Sequence, residues 1–412
     1  MLSNLAQQTP IIPVTGMSLY LHVPFCQTKC PYCDFNTYQG IEGLMSPFVG
    51  ALSTELQLWG RVLEHPRVNT VFFGGGTPSY LPNGAIGKLL EAAHQAFSGF
   101  SLEEGAEITI EANPGDLDQK ACERLLDQGV NRLSIGVQSL DNGLLGLLGR
   151  RHDANKAIEA FLVARDAGFT NINLDLMYGL PRQTMQQWQD TLQRLVSLNP
   201  AHISLYCLTL EEGTPLHKWV KQGKLPEPDS DLAADMYHYA EELLEQAGYR
   251  HYEISNWAMP GYPSRHNLAY WLNLPYLGAG PGAHSRLSSY RFWEVSSPRS
   301  YIDKVRQWAE AGPESLTTLT EEDLHGIYPV GGYEYIDANL TAAETMFLGL
   351  RLLDGMDLAV NSERIGVDLG DKYRAEIAEL IDLGLLERER NSLRLTKGAY
   401  LIANQVFTRF LG

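Results

Sequence analysis

The chain has 412 residues, of which 44% are hydrophobic and 20% charged, a composition typical of a globular protein with a sizeable core. Its 49 acidic residues outnumber its 32 basic ones, for a formal net charge of −17, which argues against broad non-specific binding to nucleic acid. No apolar run approaches the ~20 residues that cross a bilayer. Five cysteines, an odd count without a secretory segment, indicate a reduced, cytoplasmic protein. Peripheral docking to a membrane partner and homodimerisation are left open.

A regular alternation of short and long apolar patterns follows a polar start. Residues 1–16 contain prolines and no apolar core, which predicts a disordered lead-in. The predicted strands are 19–23, 70–73, 107–111, 132–137, 171–177 and 203–208, and the predicted helices between them are 47–63, 86–97, 119–128, 154–167 and 185–198. Near-continuous apolar runs indicate strands buried on both faces of a parallel sheet. Six such units predict an α/β fold, an incomplete (β/α)6 barrel with its function at the carboxyl ends of the strands.

The first predicted strand runs into three cysteines, Cys26, Cys30 and Cys33, with the spacing C-x3-C-x2-C. A four-iron cluster normally takes four cysteine ligands, so three leave one iron with an open site. That iron can bind the amine and carboxylate of S-adenosylmethionine (SAM), and an electron passed through the cluster can then release an adenosyl radical. The alternative is a closed zinc site completed by His22, but no second Cys or Cys/His pair follows downstream.

Small and polar residues follow the next predicted strands. Glycines let the backbone approach a ligand closely. For any single polar residue a structural hydrogen bond is the more common meaning, but several at successive strand ends favour a binding site. Arginine suits the SAM carboxylate, glutamine and aspartate suit ribose hydroxyls, and glutamate suits an ammonium or a hydroxyl. The candidates are Gly75, Gly76, Thr77, Glu111, Gln138, Arg150 and Asp175.

The order of these motifs resembles the radical-SAM superfamily. The motifs are Tyr20-Leu-His-Val-Pro-Phe-Cys, Gly-Gly-Gly-Thr-Pro-Ser, Glu-Ala-Asn-Pro, Gly-Val-Gln-Ser, Gly-Arg-Arg-His and Asp-Leu-Met-Tyr-Gly-Leu-Pro. Together they are similar to the branch that contains oxygen-independent coproporphyrinogen III oxidase and a related heme chaperone, strongly over about residues 17–290. The resemblance implies a [4Fe-4S] cluster on the three cysteines. It implies a SAM pocket lined by Tyr20, Gly75, Gly76, Thr77, Glu111, Gln138, Arg150 and Asp175.

Two departures separate the two relatives. The oxidase has a fourth cysteine two residues after the third, where this chain has Phe35, and it has a longer arm before the cluster, where only 25 residues precede Cys26 here. Both departures match the chaperone. The resemblance therefore implies a heme chaperone that passes heme to an acceptor protein such as a respiratory cytochrome subunit. Oxidative decarboxylation of coproporphyrinogen III is the alternative, a radical-SAM enzyme for another substrate is a third reading, and enzymatic activity is left open.

A later segment combines histidines with aromatic residues. Heme binding uses flat apolar surface beside an iron ligand, and His266-Asn267-x-x-Tyr270-Trp271 resembles a motif associated with heme binding in the chaperone branch. The resemblance implies His266 as a candidate axial ligand. For a single histidine a packing role is the commoner one, and His251 and His284 are weaker candidates.

The last third of the chain predicts a separate unit. Helices are predicted at 232–246, 300–310 and 341–353, the last with Thr341 as its N-cap and Glu344 as the reciprocal residue. A helix at 373–382, a hairpin at 385–395 and a helix at 397–410 follow. We expect a core with its extension at 17–290, a connector at 291–335 and a small helical, winged-helix-like domain at 336–412. With no basic recognition helix, a docking lid is favoured over DNA binding.

Overall fold

Six parallel strands form the centre of the computed structural model, which describes residues 16–99, 105–316 and 318–411. Residues 1–15, nearly all of the predicted lead-in, lie outside this part. The central strands stand in chain order in the sheet, as the predicted incomplete barrel requires. They are β1 (Met17–Val23), β2 (Val68–Gly75), β3 (Glu107–Ala112), β4 (Arg132–Gln138), β5 (Asn171–Tyr178) and β6 (His202–Cys207).

Helices cover the outer face of these strands, and five of them are the predicted ones. Side chains of Asp118, Asp153 and Thr184 accept hydrogen bonds from backbone N–H groups in the first turns of three helices, which satisfies donors that helix geometry leaves free. The first six helices are α1 (Met45–Val62), α2 (Ala85–Ala96), α3 (Gln119–Asp127), α4 (Asn142–Leu147), α5 (Ala154–Ala167) and α6 (Met185–Ser197). The short α4 was not predicted.

The sheet continues on both sides of the six parallel strands. The next elements are α7 (Pro215–Lys221), α8 (Ser230–Gln246), β7 (Arg250–Glu253), β8 (Asn256–Ala258), α9 (Arg265–Trp271), β9 (Tyr276–Ala279), β10 (His284–Leu287), β11 (Tyr290–Glu294), α10 (Pro298–Ala311), α11 (Glu321–Gly326) and β12 (Val330–Tyr335). The strand order is β12-β11-β10-β9-β1-β2-β3-β4-β5-β6-β8-β7. Strand β9 is parallel to β1, and β10 to β12 pair antiparallel. The segment 291–335, expected as a connector, thus supplies two strands of the main sheet.

The C-terminal unit has its own apolar core, formed by residues such as Met346, Leu393 and Val406. Its elements are α12 (Ala338–Gly349), β13 (Met356–Asp357), α13 (Leu358–Ile365), α14 (Leu369–Lys372), α15 (Arg374–Asp382), β14 (Leu386–Glu389), β15 (Ser392–Leu395) and α16 (Ala403–Phe407). The strands form a small sheet, β13-β15-β14, which contains the predicted hairpin. The predicted helix 397–410 is instead a 3₁₀ turn, the short α16 and a second 3₁₀ turn.

The start of α12 corrects the predicted capping. Asp337 is the N-cap and accepts a hydrogen bond from Leu340 N, so Thr341 lies inside the helix. Glu344 makes no capping bond. It is buried and pairs with Arg286 and Arg291 of the main sheet, and it therefore fixes the C-terminal unit to the barrel. Within the described ranges, no helix combines the length and the apolar character that crossing a membrane requires.

A buried carboxyl pair lies between α1, β11 and α10. Glu55 accepts hydrogen bonds from Trp59 Nε1 (3.3 Å), Gly280 N (3.0 Å) and the Tyr301 hydroxyl. Burial raises the pKa of Glu55 to about 7. Burial and the adjacent Glu55 charge raise the pKa of Glu294 well above its usual range. The folded state therefore holds protons here that the unfolded chain releases at lower pH.

We expect Glu294→Gln to flatten the dependence of stability on pH. Because both folded pKa values are raised, the free energy of unfolding of the wild type should fall as pH rises from about 4.3, the ordinary Glu value, through about 7. Each unit of pKa difference costs about 1.4 kcal/mol, and glutamine does not ionise. Urea unfolding at pH 5 and pH 8 measures this. Exposed Glu322→Gln is the control, and an unchanged pH dependence in Glu294→Gln would contradict the expectation.

Candidate functional site

The loop after β1 brings the three predicted cysteines to the carboxyl end of the barrel. Backbone bonds between Cys26 N and Tyr38 O (2.9 Å) and between Tyr38 N and Pro24 O (2.7 Å) close the base of this loop. The Thr77 hydroxyl donates to Cys26 Sγ at 3.6 Å, and Arg150 Nη1 donates to Cys30 Sγ at 3.5 Å. Residues after β2 and β4 thus contact two of the three sulfur atoms.

A cavity of about 450 Å³ opens at these strand ends. All three cysteines line it, and so do seven of the eight residues predicted for the SAM pocket. Its lining includes Cys26, Cys30, Cys33, Gly75, Gly76, Thr77, Glu111, Gln138, Arg150 and Asp175. Tyr20, the eighth, lies deeper in the barrel beside Phe72, and its hydroxyl contacts His22 Nδ1 at 3.1 Å. The structure therefore collects into one cavity most of the residues that the sequence spreads over about 150 positions.

Two glycines allow the end of β2 to pack directly against β1 and the cysteine loop. A Cβ at Gly76 would lie 2.7 Å from Phe25 O, and one at Gly75 would lie 2.4 Å from the His22 ring. Gly75 also has a φ of +106°, a conformation that other residues rarely adopt. A side chain at Gly76 would push the cysteine loop away from β2, and one at Gly75 would displace the His22 ring of β1, so both glycines are required for the shape of the cavity.

The polar wall of the cavity carries two buried carboxyl groups. Glu111 Oε2 accepts a hydrogen bond from Gly75 N at 3.1 Å, and burial together with the nearby Asp175 charge raises the pKa of Glu111 to about 8. Asp175 accepts bonds from Ser134 Oγ (3.0 Å) and Asn173 Nδ2 (2.8 Å), which oppose the rise in its pKa caused by burial. These groups can accept bonds from the hydroxyl or ammonium groups of a ligand.

Arg150 adds a positive charge to the same wall. Its Nη2 donates to Gly136 O at 2.8 Å, while its buried Nε has no hydrogen-bond partner among the described residues. A buried donor without a partner is costly, and a carboxylate ligand in the cavity would satisfy it. The donor set therefore fits a zwitterionic ligand such as SAM beside the cysteines.

The zinc alternative lacks its fourth ligand. His22 lies in contact with Tyr20 OH at one ring nitrogen and with Asn36 O (2.9 Å) at the other. Across the described ranges, no three His, Cys, Asp or Glu side chains are placed to hold one metal ion. In a zinc site every sulfur atom lies about 2.3 Å from the same ion. In a four-iron cluster each cysteine binds a different iron, so the sulfur atoms lie further apart. The three cysteines around a wider cavity fit the cluster.

His266 does not reach this cavity. It is 1% exposed and stacks on Phe72 with ring centroids 5.0 Å apart. Its Nδ1 lies 2.9 Å from Thr70 Oγ1 and its Nε2 lies 2.9 Å from Tyr270 OH, and burial lowers its pKa to about 3. Both ring nitrogens of His266 are thus hydrogen-bonded inside the protein, and its role as a heme ligand stays a prediction.

The weaker candidates lie apart from each other. His251 stacks on Trp257 with centroids 3.9 Å apart, in contact with α8, whereas His284 is exposed at the start of β10. Within the motif around His266, His266 itself is buried, whereas Asn267, Tyr270 and Trp271 are partly exposed. The motif forms α9, which closes the amino end of the barrel.

Comparison with known proteins identifies the family of this chain. The radical SAM superfamily model matches residues 20–195, and the HemN C-terminal domain model matches residues 337–402. "Heme chaperone HemW" of Bacillus subtilis is 34% identical over 395 residues, 96% of this chain and 99% of the relative. The protein of the same name from Mycobacterium tuberculosis is 37% identical over 404 residues, 97% and 96% of the two chains. The chain belongs to the HemW family.

A solved structure supports the fold. Coproporphyrinogen III oxidase (HemN) from Escherichia coli superposes with a TM-score of 0.79 at 22% identity, over 96% of this chain and 90% of that one. The predicted fold class, a parallel radical-SAM barrel with a small C-terminal domain, is confirmed. The radical SAM superfamily implies a [4Fe-4S] cluster and SAM, and the HemW cavity described above has donors suited to both.

Several cavity residues were not found by sequence reasoning. Tyr32, Met177 and Tyr206 also line the cavity, and Asn36 fixes the cysteine loop by donating from Nδ2 to Pro281 O (2.8 Å) and Ser296 O (2.9 Å). Tyr206 was detectable, because it continues an alternation of polar and apolar residues along β6. Nothing in the sequence identified Asn36, since its partners are 245 and 260 residues away.

We expect alanine at Cys26, Cys30 or Cys33 to remove most of the iron from anaerobically reconstituted protein, because two remaining thiolates cannot hold a four-iron cluster. Iron, sulfide and the visible spectrum measure this. Cys122→Ala is the matched control, since Cys122 lies buried in α3, away from the cavity. Full iron retention by any one of the three variants would contradict its assignment as a ligand.

We expect His266→Ala to destabilise the protein by about 2–4 kcal/mol, since it removes a buried ring and leaves Thr70 and Tyr270 without their contact. Heme affinity should stay within twofold of the wild type. Urea unfolding and a heme titration followed at the Soret band measure the two quantities. Exposed His325→Ala is the control. A large loss of heme affinity at unchanged stability would instead restore His266 as an iron ligand.

Proposed function

We propose that this protein is a heme chaperone that carries a SAM-liganded [4Fe-4S] cluster and transfers heme to an acceptor protein. The observation that carries the proposal is the near-complete match to relatives named heme chaperone, 96% of this chain against 99% of the relative from Bacillus subtilis. The cavity supports it, because three cysteines and a set of donors for a zwitterionic ligand line the same space.

In this proposal different residues of the cavity bind the cluster and the different parts of SAM. Cys26, Cys30 and Cys33 hold the cluster. Arg150 binds the SAM carboxylate through its free Nε, and Gly75, Gly76 and Thr77 bring backbone groups to the methionine end. Glu111, Gln138 and Asp175 bind the amine and ribose side. When bound, the cluster and SAM supply an electron route to the sulfonium and, if it is cleaved, an adenosyl radical.

Phe35 supports the chaperone over the oxidase. It lines the cavity and is 62% exposed, at the position where the oxidase branch has a further cysteine. A large exposed aromatic side chain at the mouth provides apolar surface for a flat macrocycle rather than a thiol for chemistry. The five cysteines, taken as reduced thiols, favour the cytoplasm, and we propose an acceptor such as a respiratory cytochrome subunit.

The oxidase remains the second candidate, since the shared cluster and SAM residues favour it. One anaerobic experiment separates the two functions. Reconstituted protein is mixed with SAM, a strong reductant and coproporphyrinogen III, and 5′-deoxyadenosine and decarboxylated porphyrin are measured in the same sample. Heme binding by the same preparation is measured separately, with Cys122→Ala as a control protein.

We expect 5′-deoxyadenosine without decarboxylated porphyrin, together with saturable heme binding, because the cavity supplies SAM donors but Phe35 replaces the extra cysteine. Porphyrin product matched to 5′-deoxyadenosine would make the protein an oxidase. Heme binding no stronger than that of an unrelated protein would contradict the chaperone.

A further inference from the structure

An unbroken series of side-chain hydrogen bonds leads from the cavity into the closed end of the barrel. Asp175 Oδ1 accepts from Asn173 Nδ2 at 2.8 Å. Asn173 Oδ1 lies 2.6 Å from His202 Nδ1, and His202 Nε2 lies 2.8 Å from the Tyr252 hydroxyl. The Tyr252 hydroxyl accepts from Ser264 N at 3.2 Å. Asn173, His202 and Ser264 are each at most 2% exposed, so water does not compete for these bonds.

The chemistry of the partners sets one direction for every bond. The Asn173 amide nitrogen donates to a carboxylate, so its oxygen must accept, and His202 Nδ1 must carry the hydrogen. Burial and the nearby Arg132 charge lower the pKa of His202 well below its usual range, so the ring is neutral and Nε2 accepts from Tyr252. All donors thus point towards Asp175. Hydrogen bonds aligned in this way polarise and strengthen one another in a buried site.

The far end of the series lies where the barrel meets α9 and the C-terminal unit. Ser264 is the N-cap of α9. The backbone oxygen of Tyr252 accepts from Leu353 N at 3.1 Å, and the adjacent Glu253 pairs with Arg351 at 3.3 Å. Arg351 in turn lies over the Trp271 ring, 4.1 Å from its centroid. Tyr252 therefore contacts three parts of the protein: the series of hydrogen bonds that leads to Asp175, helix α9 and the C-terminal unit.

We propose that His202 and Tyr252 are positioning residues that orient Asp175 for SAM and couple the SAM cavity to α9 and the C-terminal unit. The proposal rests on the proposed function, because it takes SAM as the ligand of Asp175. Neither residue lines the cavity, so both act through Asn173. Arg132, Glu111 and Tyr206 also influence the charge of Asp175 electrostatically, and Ser204 Oγ donates a second bond to Asn173 Oδ1 at 3.1 Å.

The test compares Tyr252→Phe and His202→Asn with the wild type. Tyr252→Phe keeps the ring and removes the donor to His202. His202→Asn keeps an amide donor for Asn173 but does not reach Tyr252. Thr109→Val is the matched control, because Thr109 is fully buried in β3 and its hydroxyl has no partner in the part of the chain described. SAM binding to the cluster-loaded protein is measured by equilibrium dialysis from pH 6 to 9, and folding by near-UV circular dichroism.

We expect each variant to bind SAM about five- to tenfold more weakly, which corresponds to the loss of about one neutral hydrogen bond. The double variant should be no weaker than either single one, because the residues act in series. With fewer aligned donors the pKa of Asp175 rises, so the pH dependence of SAM binding should move to higher pH. Thr109→Val should change neither quantity.

Hydrogen exchange gives a readout that a purely structural role would not change. SAM should slow exchange of the amides in residues 264–271 of the wild type, and this effect should be lost in Tyr252→Phe, since coupling between two sites is reciprocal. Folded variants with unchanged SAM affinity and pH profile would overturn the coupling alone. A wild type that binds no SAM would overturn the proposed function with it.

Discussion

The interior of the barrel is polar, and most of its polar groups find hydrogen-bond partners inside the protein, with Thr109 Oγ1 and Asn171 Oδ1 as exceptions among the described residues. On β3, β5 and β6 the polar residues stand at every second position, as in Glu107-Ile-Thr-Ile-Glu111 and Asn171-Ile-Asn-Leu-Asp175. Successive side chains of a strand point to opposite faces, so one face meets the helices with apolar residues and the other fills the barrel with carboxyls, amides and hydroxyls. An unpaired polar group in such a place costs about 1–3 kcal/mol.

This constraint explains both ends of the barrel. At the amino end, the Glu107 carboxylate accepts from the backbone N–H groups of Arg265 and His266 at 3.0 Å each, and α9 thereby closes the floor. At the carboxyl end, the described residues place the cysteine loop and the cavity rather than a helix such as α9. There the pKa of Glu111 is raised, and Arg150 Nε has no hydrogen-bond partner among the described residues. Both are expected where a ligand rather than the protein completes the hydrogen bonding.

Local signals in the sequence predicted most of the barrel and failed where partners are remote. The bounds of α5 follow from Asp153 as N-cap and Gly168 at its end, and the central strands follow from apolar runs. The three cysteines and the strand-end residues were found because parallel strands place their carboxyl ends together. By contrast, Glu344 looks like a capping residue when only its neighbours are read. Its partner Arg291 is 53 positions away, and a local sequence pattern cannot predict a contact between residues so far apart in the chain.

The motif His266-Asn267-x-x-Tyr270-Trp271 also depends on remote partners that its local sequence does not indicate. A histidine beside tyrosine and tryptophan suits heme, but His266 and Tyr270 are four positions apart on one short helix, and such residues share a face. That face enters the polar barrel, where Thr70 and Tyr270 take both ring nitrogens. Trp271 faces the other way, under Arg351. The motif therefore joins the barrel floor to the C-terminal unit, and an iron that binds His266 must first displace Thr70 or Tyr270 from its ring.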